Sequence, residues 1–449
     1  MVMQLIVTSE CCLVDAPPDL VRVLRQELSI DNPKYADAKR YGRWIGKAMK
    51  PKLFFFREEG NRFYFPRGYG NEAVRLCRSF AGETPSLDDR RRLLPSSSYN
   101  FKGVLRPYQL EAVEAVSAHS FGVLEAGTGS GKTVMALAMV ARRAQPTLII
   151  VHTRELLIQW QERIRQFLGL EAGLVGGGHY QLAPITVAIV NTARKYVQEL
   201  NPHFGHLLVD ECHRVPASLF TDTVAGFDCM YMLGLSATAF RRDDGMTRLI
   251  YMYMGDRAHR VDNNMLAASG AVLKPELIQK TTDFSYGFRD DYAKLLKALT
   301  QNTDRNKLII NDTAQLARQG QGTVLLVSDR RAHCELLAQG LEDLGLKVAL
   351  LTGQTAEEKR ETIVQQVQAG NVQVLVATVQ LIGEGFDCSG LDTLVLATPI
   401  KFEGRLLQVA GRIVRPAAGK QAVILDYIDT HIPLLRRSAA ARRAVFADW

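Results

Sequence analysis

The chain of 449 residues has no run of eighteen apolar residues, no low-complexity tract and no short-period repeat. The first absence speaks against a membrane-spanning helix. The other two speak against a repeat array and against a long disordered region. Cysteine is scarce and poorly arranged for cross-linking. The seven residues Cys11, Cys12, Cys77, Cys212, Cys229, Cys334 and Cys388 are odd in number and include no Cys-x-x-Cys pair. That disfavours a disulfide framework or a zinc cluster and suits small buried thiols in a reducing compartment. The opening "MVMQLIVTSECCLVDAPPDL" lacks a basic n-region and soon turns acidic, so no signal peptide is expected. The expectation is a soluble cytoplasmic protein with no membrane partner.

What remains is ordinary globular composition, 47% hydrophobic and 23% charged. The length suits about three domains. The net charge of +8 is unevenly placed. Between Lys34 and Arg67 stand ten Lys/Arg against the three acids Asp37, Glu58 and Glu59. A local basic field is a footprint for phosphate-rich partners, with Arg40, Arg43 and Lys47 as candidate contacts. The competing reading is a solvated face that binds nothing.

Residues 1–100 read as a small α+β accessory domain with its linker. "LFFFREEGNRFYFP" suggests two aromatic strands joined by a Gly-Asn turn, and "GETPSLDDRRRLLPSSSYN" supplies breaker residues for the linker. From residue 101 short apolar runs alternate with helical patterns. "FGVLEA", "PTLIIVH", "ITVAIV", "HLLVDE" and "YMLGLSAT" form one series; "GTVLLVS", "KVALLTG", "VQVLVAT", "DTLVLAT" and "QAVILDYI" form another. Such βαβ repetition predicts two parallel-sheet α/β domains, at 101–262 and 263–449.

"FGVLEAGTGSGKTVMAL" reads as a strand, a Gly-rich loop and a helix start. Backbone N–H groups of Ala126, Gly127, Thr128, Gly129, Ser130 and Gly131 are placed to cradle the phosphates of ATP at a helix N-terminus. Lys132 would reach the β- and γ-phosphates and Thr133 would hold Mg²⁺. The pattern is Ala-x-x-Gly-x-Gly-Lys-Thr, with Ala126 where the general motif has glycine. "HLLVDECH" ends a second apolar strand in Asp210 and Glu211. There Asp210 would bind Mg²⁺ through water and Glu211 would orient and deprotonate the attacking water. Far downstream, "LLQVAGRIVRP" holds Arg412 and Arg415 three positions apart in an apolar run, on one face if helical, with Gln408 on the same segment. Guanidinium groups there are costly unless an anion meets them, and the γ-phosphate is the natural anion.

These stretches resemble, in order over residues 101–415, the motifs of superfamily 2 helicases and translocases. "LRPYQ" is similar to the adenine-side motif, which implies nucleotide contacts for Arg106 and Gln109. "HTRELLIQW" resembles motif Ia, "SAT" (Ser236–Thr238) motif III, "ATVQLIGEGFD" motif V and "QVAGRIVR" motif VI. The motif V resemblance implies nucleotide contacts for Gly385 and Asp387, and Arg154, Thr192 and Thr378 fall at motif-like positions for nucleic-acid backbone contacts. "SATAFRRDDG", "LAASGAVLKPEL" and "YFPRG" resemble the XPB/UvsW-like branch in particular. The resemblance implies two tandem RecA-like domains, nucleic-acid-stimulated ATP hydrolysis with Mg²⁺, and a bacterial or infected-host cytoplasm. Its leading substrate is DNA, as duplex, fork or four-way junction, in branch migration alongside recombination, repair or replication proteins. The alternatives are an RNA helicase, the motor of a restriction-type complex, and a DNA-binding subunit with ATP as a structural ligand. Intact Lys132, Glu211 and Arg415 argue against the last.

Overall fold

The structure is a computed structural model that describes residues 3–40, 44–46, 49–214, 218–237, 246–288, 291–320, 322–383, 388, 390–400, 403–417 and 419–447. The chain divides into two compact units. One holds Met1–Ala126 and Gly131–Arg260; the other holds Gly127–Ser130 and Val261–Trp449.

The first unit contains an eight-stranded sheet. Its order is His179–Gln181, Gly173–Gly176, Ile185–Ile189, Thr147–Val151, His206–Asp210, Tyr231–Ser236, Phe121–Ala126, Arg257–Val261. From Gly173–Gly176 to Phe121–Ala126 neighbouring strands run parallel. Leu148, Ile149, Ile150 and Val151 are all buried, because helices cover both faces and a parallel strand then needs no polar side. The five apolar runs of the first series become five of these strands. The edge hairpin around Gly176–Gly178 has no alternating pattern to announce it. It depends on positive φ at Gly176, Gly177 and Gly178.

The same unit carries a five-stranded sheet, Arg57–Glu59, Arg62–Pro66, Glu10–Val14, Gln4–Val7, Ser86–Asp89. The hairpin turns at Gly60, with φ +62°, and Asn61. Phe63 and Phe65 fill its core. Phe54 instead belongs to a separate ribbon, Ser29–Asp31 with Lys52–Phe54.

The breaker-rich stretch after Gly82 is not a free linker. It supplies Ser86–Asp89, which pairs in parallel with Gln4–Val7. Arg92 then bonds Asn201 O at 2.6 Å and Asp228 at 3.0 Å, and Gln145 bonds both backbone groups of Leu94. Leu249 and Met252 of helix Thr247–Met254 lie in the core of the five-stranded sheet, whereas Ile250 and Met254 lie in the core of the larger one. Gly68 sits against the backbone of Tyr251, Met252 and Gly255, where no Cβ fits. Arg67 is buried and donates to Cys229 O at 2.8 Å; burial pushes its pKa down. Exposing a buried Leu or Met costs roughly 1.5–3 kcal/mol. Removing the first ninety-odd residues would therefore damage the neighbouring sheet's support.

The second unit is built on a six-stranded, all-parallel sheet: Glu276–Thr282, Val423–Asp429, Leu391–Leu396, Thr323–Ser328, Val374–Thr378, Val348–Leu351. Strand periodicity sorts its side chains. Leu325, Val327, Leu375, Leu394 and Leu396 face one core; Val324, Leu326, Val374, Val376 and Val395 face the other. Glu276–Thr282, with polar Gln279, Lys280 and Thr281, is an edge strand that an apolar search passes over. The basic C-terminal segment forms helix Pro433–Ala447, which buries Leu435, Ala439, Arg442 and Phe446.

Candidate nucleotide site

Three adjacent strands position the site. Tyr231–Ser236 lies between Phe121–Ala126 and His206–Asp210, with Ser236 opposite Glu125 and Asp210 opposite Leu235. Ala126, Ser236 and Asp210 thus reach the same carboxyl edge, where parallel α/β sheets bind ligands.

The Gly-rich loop needs its glycines. Gly129 and Gly131 hold φ of +86° and +81°, and Gly131 leaves no room for a Cβ against the Gln109 amide. Ser130 is fully buried. Its N–H donates to Gly127 O at 3.2 Å, closing a turn around Thr128. Helix Lys132–Arg143 starts directly after the loop, so Thr133 stands in its first turn. The Lys132 ammonium donates to Ala126 O at 3.0 Å, spanning the loop from helix to strand. Gln109 is buried, and its Oε1 accepts from Arg106 N at 2.9 Å, closing the first turn of helix Pro107–Ser117. The sequence assigned Gln109 to the base edge. The structure brings it to the loop with its amide oxygen already engaged.

Asp210 is 7% exposed. Its Oδ2 accepts the Trp160 indole N–H at 2.9 Å, and its Oδ1 accepts Glu211 N at 2.9 Å. Glu211 has φ +50°, a region that costs a non-glycine residue of order 1–3 kcal/mol and is typically held for a functional reason. His213 Nδ1 lies 3.1 Å from Glu211 Oε2 and 3.1 Å from Ser236 Oγ, which ties the motif III strand to the acidic pair. Burial and the neighbouring Glu211 charge push Asp210 above the usual carboxylate range, despite the indole bond and Lys132. Burial also raises Glu211, but bonding to His213 and the charges of His213, Lys132 and His152 outweigh it and hold the carboxyl low. One acid is thus poised to welcome a cation and the other to stay ionised. The donor chemistry, a buried carboxylate at Asp210 and the hydroxyl of Thr133, fits a hard ion such as Mg²⁺. Cys212 is buried against Gly234, and burial beside the two carboxylates holds its thiol well above its ordinary pKa.

In the second unit, helix Glu403–Ala410 carries Gln408, half-buried, and stops at Ala410. Arg412 and Arg415 therefore do not share a helix face. They flank Ile413 and Val414, both fully buried, in a turn and extended segment whose Val414 O accepts Leu273 N at 2.7 Å. Gly411 and two adjacent β-branched residues with a core to fill outweigh the helical spacing. Arg412 Nε donates to Ile382 O at 3.2 Å. Gly385 and Asp387 lie outside the described residues.

The nucleic-acid candidates are scattered. Arg154 is exposed in the first turn of helix Arg154–Leu168, and Thr192 is half-buried in helix Val190–Lys195. Both helices leave the carboxyl edge of the first parallel sheet. Thr378 ends the strand Val374–Thr378. Arg43, Lys47 and the side chain of Arg40 lie outside the described residues. The basic segment is weaker at the surface than its count implies, because Arg67 is buried and Arg57 pairs with Glu10 at 2.6 Å. Trp160 is the contact that sequence reasoning missed. It sits at the apolar spacing Leu157, Trp160, Ile164, Leu168 and reads as core alone.

Residues 102–241 match the family described as "Type III restriction enzyme, res subunit", and residues 306–417 match "Helicase conserved C-terminal domain". "Probable helicase D10" of Escherichia phage T5 is 27% identical, over 73% of this chain and 71% of that protein. "DNA 3'-5' translocase XPB2" of Sulfurisphaera tokodaii is 28% identical, over 75% of this chain and 84% of that protein. "Putative ATP-dependent RNA helicase L396" of Acanthamoeba polyphaga mimivirus is 24% identical, over 87% and 75% respectively.

Proposed function

Since the chain belongs to the superfamily 2 helicases, in the XPB/UvsW-like branch, and its two parallel-sheet domains are RecA-like, we propose that it is a DNA-dependent ATPase translocating on duplex or branched DNA. Fork or Holliday-junction remodelling and branch migration are the work this reading assigns to it, in a bacterial or infected-host cytoplasm beside recombination or replication proteins. Among the described residues no helix is long and apolar enough to cross a membrane. The observation that carries the reading is the strand-end constellation: Lys132 bridging its loop, with the acidic pair two strands away, Asp210 buried and Glu211 half-buried.

In this reading Lys132 and the loop amides hold the phosphates, and Thr133 with Asp210 holds Mg²⁺. Bound there, the ion would neutralise phosphate charge. Glu211, kept ionised by its basic neighbours, takes the proton of the attacking water. Arg412 and Arg415 supply positive charge to the transition state, with Gln408, Gly385 and Asp387 as further nucleotide contacts. Arg154, Thr192 and Thr378 would meet the nucleic-acid backbone, which positions a motor without reading sequence. Residues 1–100 act as an accessory domain whose Arg40, Arg43 and Lys47 hold duplex phosphates.

The RNA-helicase name of one relative keeps a second reading alive, and the restriction-subunit family keeps a motor-subunit reading alive. ATP turnover with duplex, forked, four-way and single-stranded DNA and with RNA separates them. Strongest stimulation by branched or duplex DNA is expected. Stimulation by RNA alone would transfer the assignment to an RNA helicase, and turnover unaffected by any nucleic acid would refute the motor.

A further inference from the structure

We propose that Trp160 is a positioning residue for the metal-binding carboxylate, and that it ties this carboxylate to the helix that carries a nucleic-acid contact. The inference rests on the ATPase reading and gives a role to Trp160, the last residue of the motif Ia-like stretch His152–Trp160, to which the sequence assigned none. The indole N–H donates to Asp210 Oδ2 at 2.9 Å, and both side chains are almost wholly buried. Asp210 Oδ1 is occupied by the Glu211 amide. A carboxylate held at both oxygens has one orientation, and each oxygen keeps a further lone pair for a cation or its water. Metal sites depend on such outer bonds, whose loss typically costs 10–100-fold in metal affinity.

The indole cannot easily turn away. Leu157, Trp160, Ile164 and Leu168 form one buried stripe of helix Arg154–Leu168, capped by Thr153 at one end and Gly169 at the other. Arg154 opens this helix, six residues before Trp160, about 9 Å along the axis. Its aliphatic stem lies over Gly177 at the sheet's carboxyl edge. A phosphate drawn to Arg154 therefore loads the same rigid element whose indole fixes Asp210. Stimulation of turnover by nucleic acid gains a physical route that needs no movement of the Gly-rich loop.

The test is Trp160→Phe, which keeps most of the packing and loses the N–H. The magnesium concentration for half-maximal ATP turnover should rise by roughly tenfold or more, and excess magnesium should restore turnover. A role in packing alone would lower turnover equally at every magnesium concentration, and that result would overturn the proposal. Should the variant unfold, the intact protein still answers. With 5-fluorotryptophan incorporated, one of the three tryptophan ¹⁹F resonances should shift on adding Mg²⁺ with ADP and stay unmoved by ADP in EDTA. No magnesium-dependent shift in any resonance would equally overturn it. If Lys132→Ala also turns over ATP normally, the ATPase site itself is misassigned. If Lys132→Ala is inactive while Trp160→Phe keeps the wild-type magnesium midpoint, only the role of Trp160 falls.

Discussion

The two larger sheets both bury carboxylates on their strands, and Asp210 with its neighbour Glu211 is treated in the opposite way to the others, Glu125 of the same unit being paired with Arg257 at 2.7 Å. In the first unit Asp210 is held by an indole and an amide, and Glu211 by a histidine. In the second, Asp429 is bound by Arg305 at 2.8 Å and by Thr282 at 2.6 Å, and Asp426 by Arg442 at 2.8 Å. The Arg305 and Asp429 side chains are each 1% exposed. The second pattern is closed: each buried acid already has a full opposite charge. The first holds its acids by hydrogen bonds, at a strained backbone, and leaves charge for a ligand to complete. A buried acid that lacks an arginine partner signals chemistry more reliably than burial alone.

That contrast breaks if the arginines of the second unit are all structural. Arg415→Ala should cut ATP turnover by orders of magnitude while ATP affinity stays within a few-fold, with Arg412→Ala similar or milder, because an arginine acting in the transition state hardly affects ground-state binding. Steady-state turnover beside equilibrium nucleotide binding measures both. Affinity lost with turnover at saturation intact would make them ground-state ligands.

Arg305→Ala should behave differently. It strands a buried Asp429 and the carbonyl of Ala397, so the second unit should lose about 3–5 kcal/mol of stability. Urea unfolding reads this directly. A loss below about 1 kcal/mol would mean that the pair is no structural counterpart to the open acids.

The smallest effect sharpens the comparison through pH. His333 is bound at both nitrogens, by Ser328 and by Asn306, each at 2.9 Å. The Asn306 oxygen can only accept, so Nε2 carries the proton and Nδ1 accepts from the hydroxyl. Burial, aided by the charge of Arg305, brings its pKa down to about 3. The unfolded imidazole takes up a proton near pH 6.5 and the folded one only near 3. Between those values the unfolded state binds more protons, and stability is lost as pH falls, by up to about 1.4 kcal/mol per unit. His333→Gln should flatten the fall in urea stability between pH 6.5 and 5. An unchanged slope would show that this histidine is not held neutral by the fold.

Much of this was readable beforehand, for identifiable reasons. All ten apolar runs became strands, because a doubly covered parallel sheet writes itself as uninterrupted Val, Ile and Leu. The Gly-rich loop was legible because its glycines answer a local backbone demand. Other features depend on partners distant in sequence. Ser86–Asp89 is polar and follows breakers, and becomes a strand only because Gln4–Val7 offers its edge. The spacing of Arg412 and Arg415 suggested a helix, but two buried residues between them are worth more than a turn of hydrogen bonds. Trp160 looked like core, and is core on every atom but one.

In the proposed ATPase chemistry Glu211 is the base that orients and deprotonates the attacking water. The direct measurement is Glu211→Gln with saturating duplex DNA, recording bound ATP and the rate of its hydrolysis in a single turnover. ATP should be retained at near wild-type affinity while hydrolysis falls by at least about 10²-fold. Hydrolysis at the wild-type rate, with ATP equally well bound, would contradict the assignment of the acidic pair.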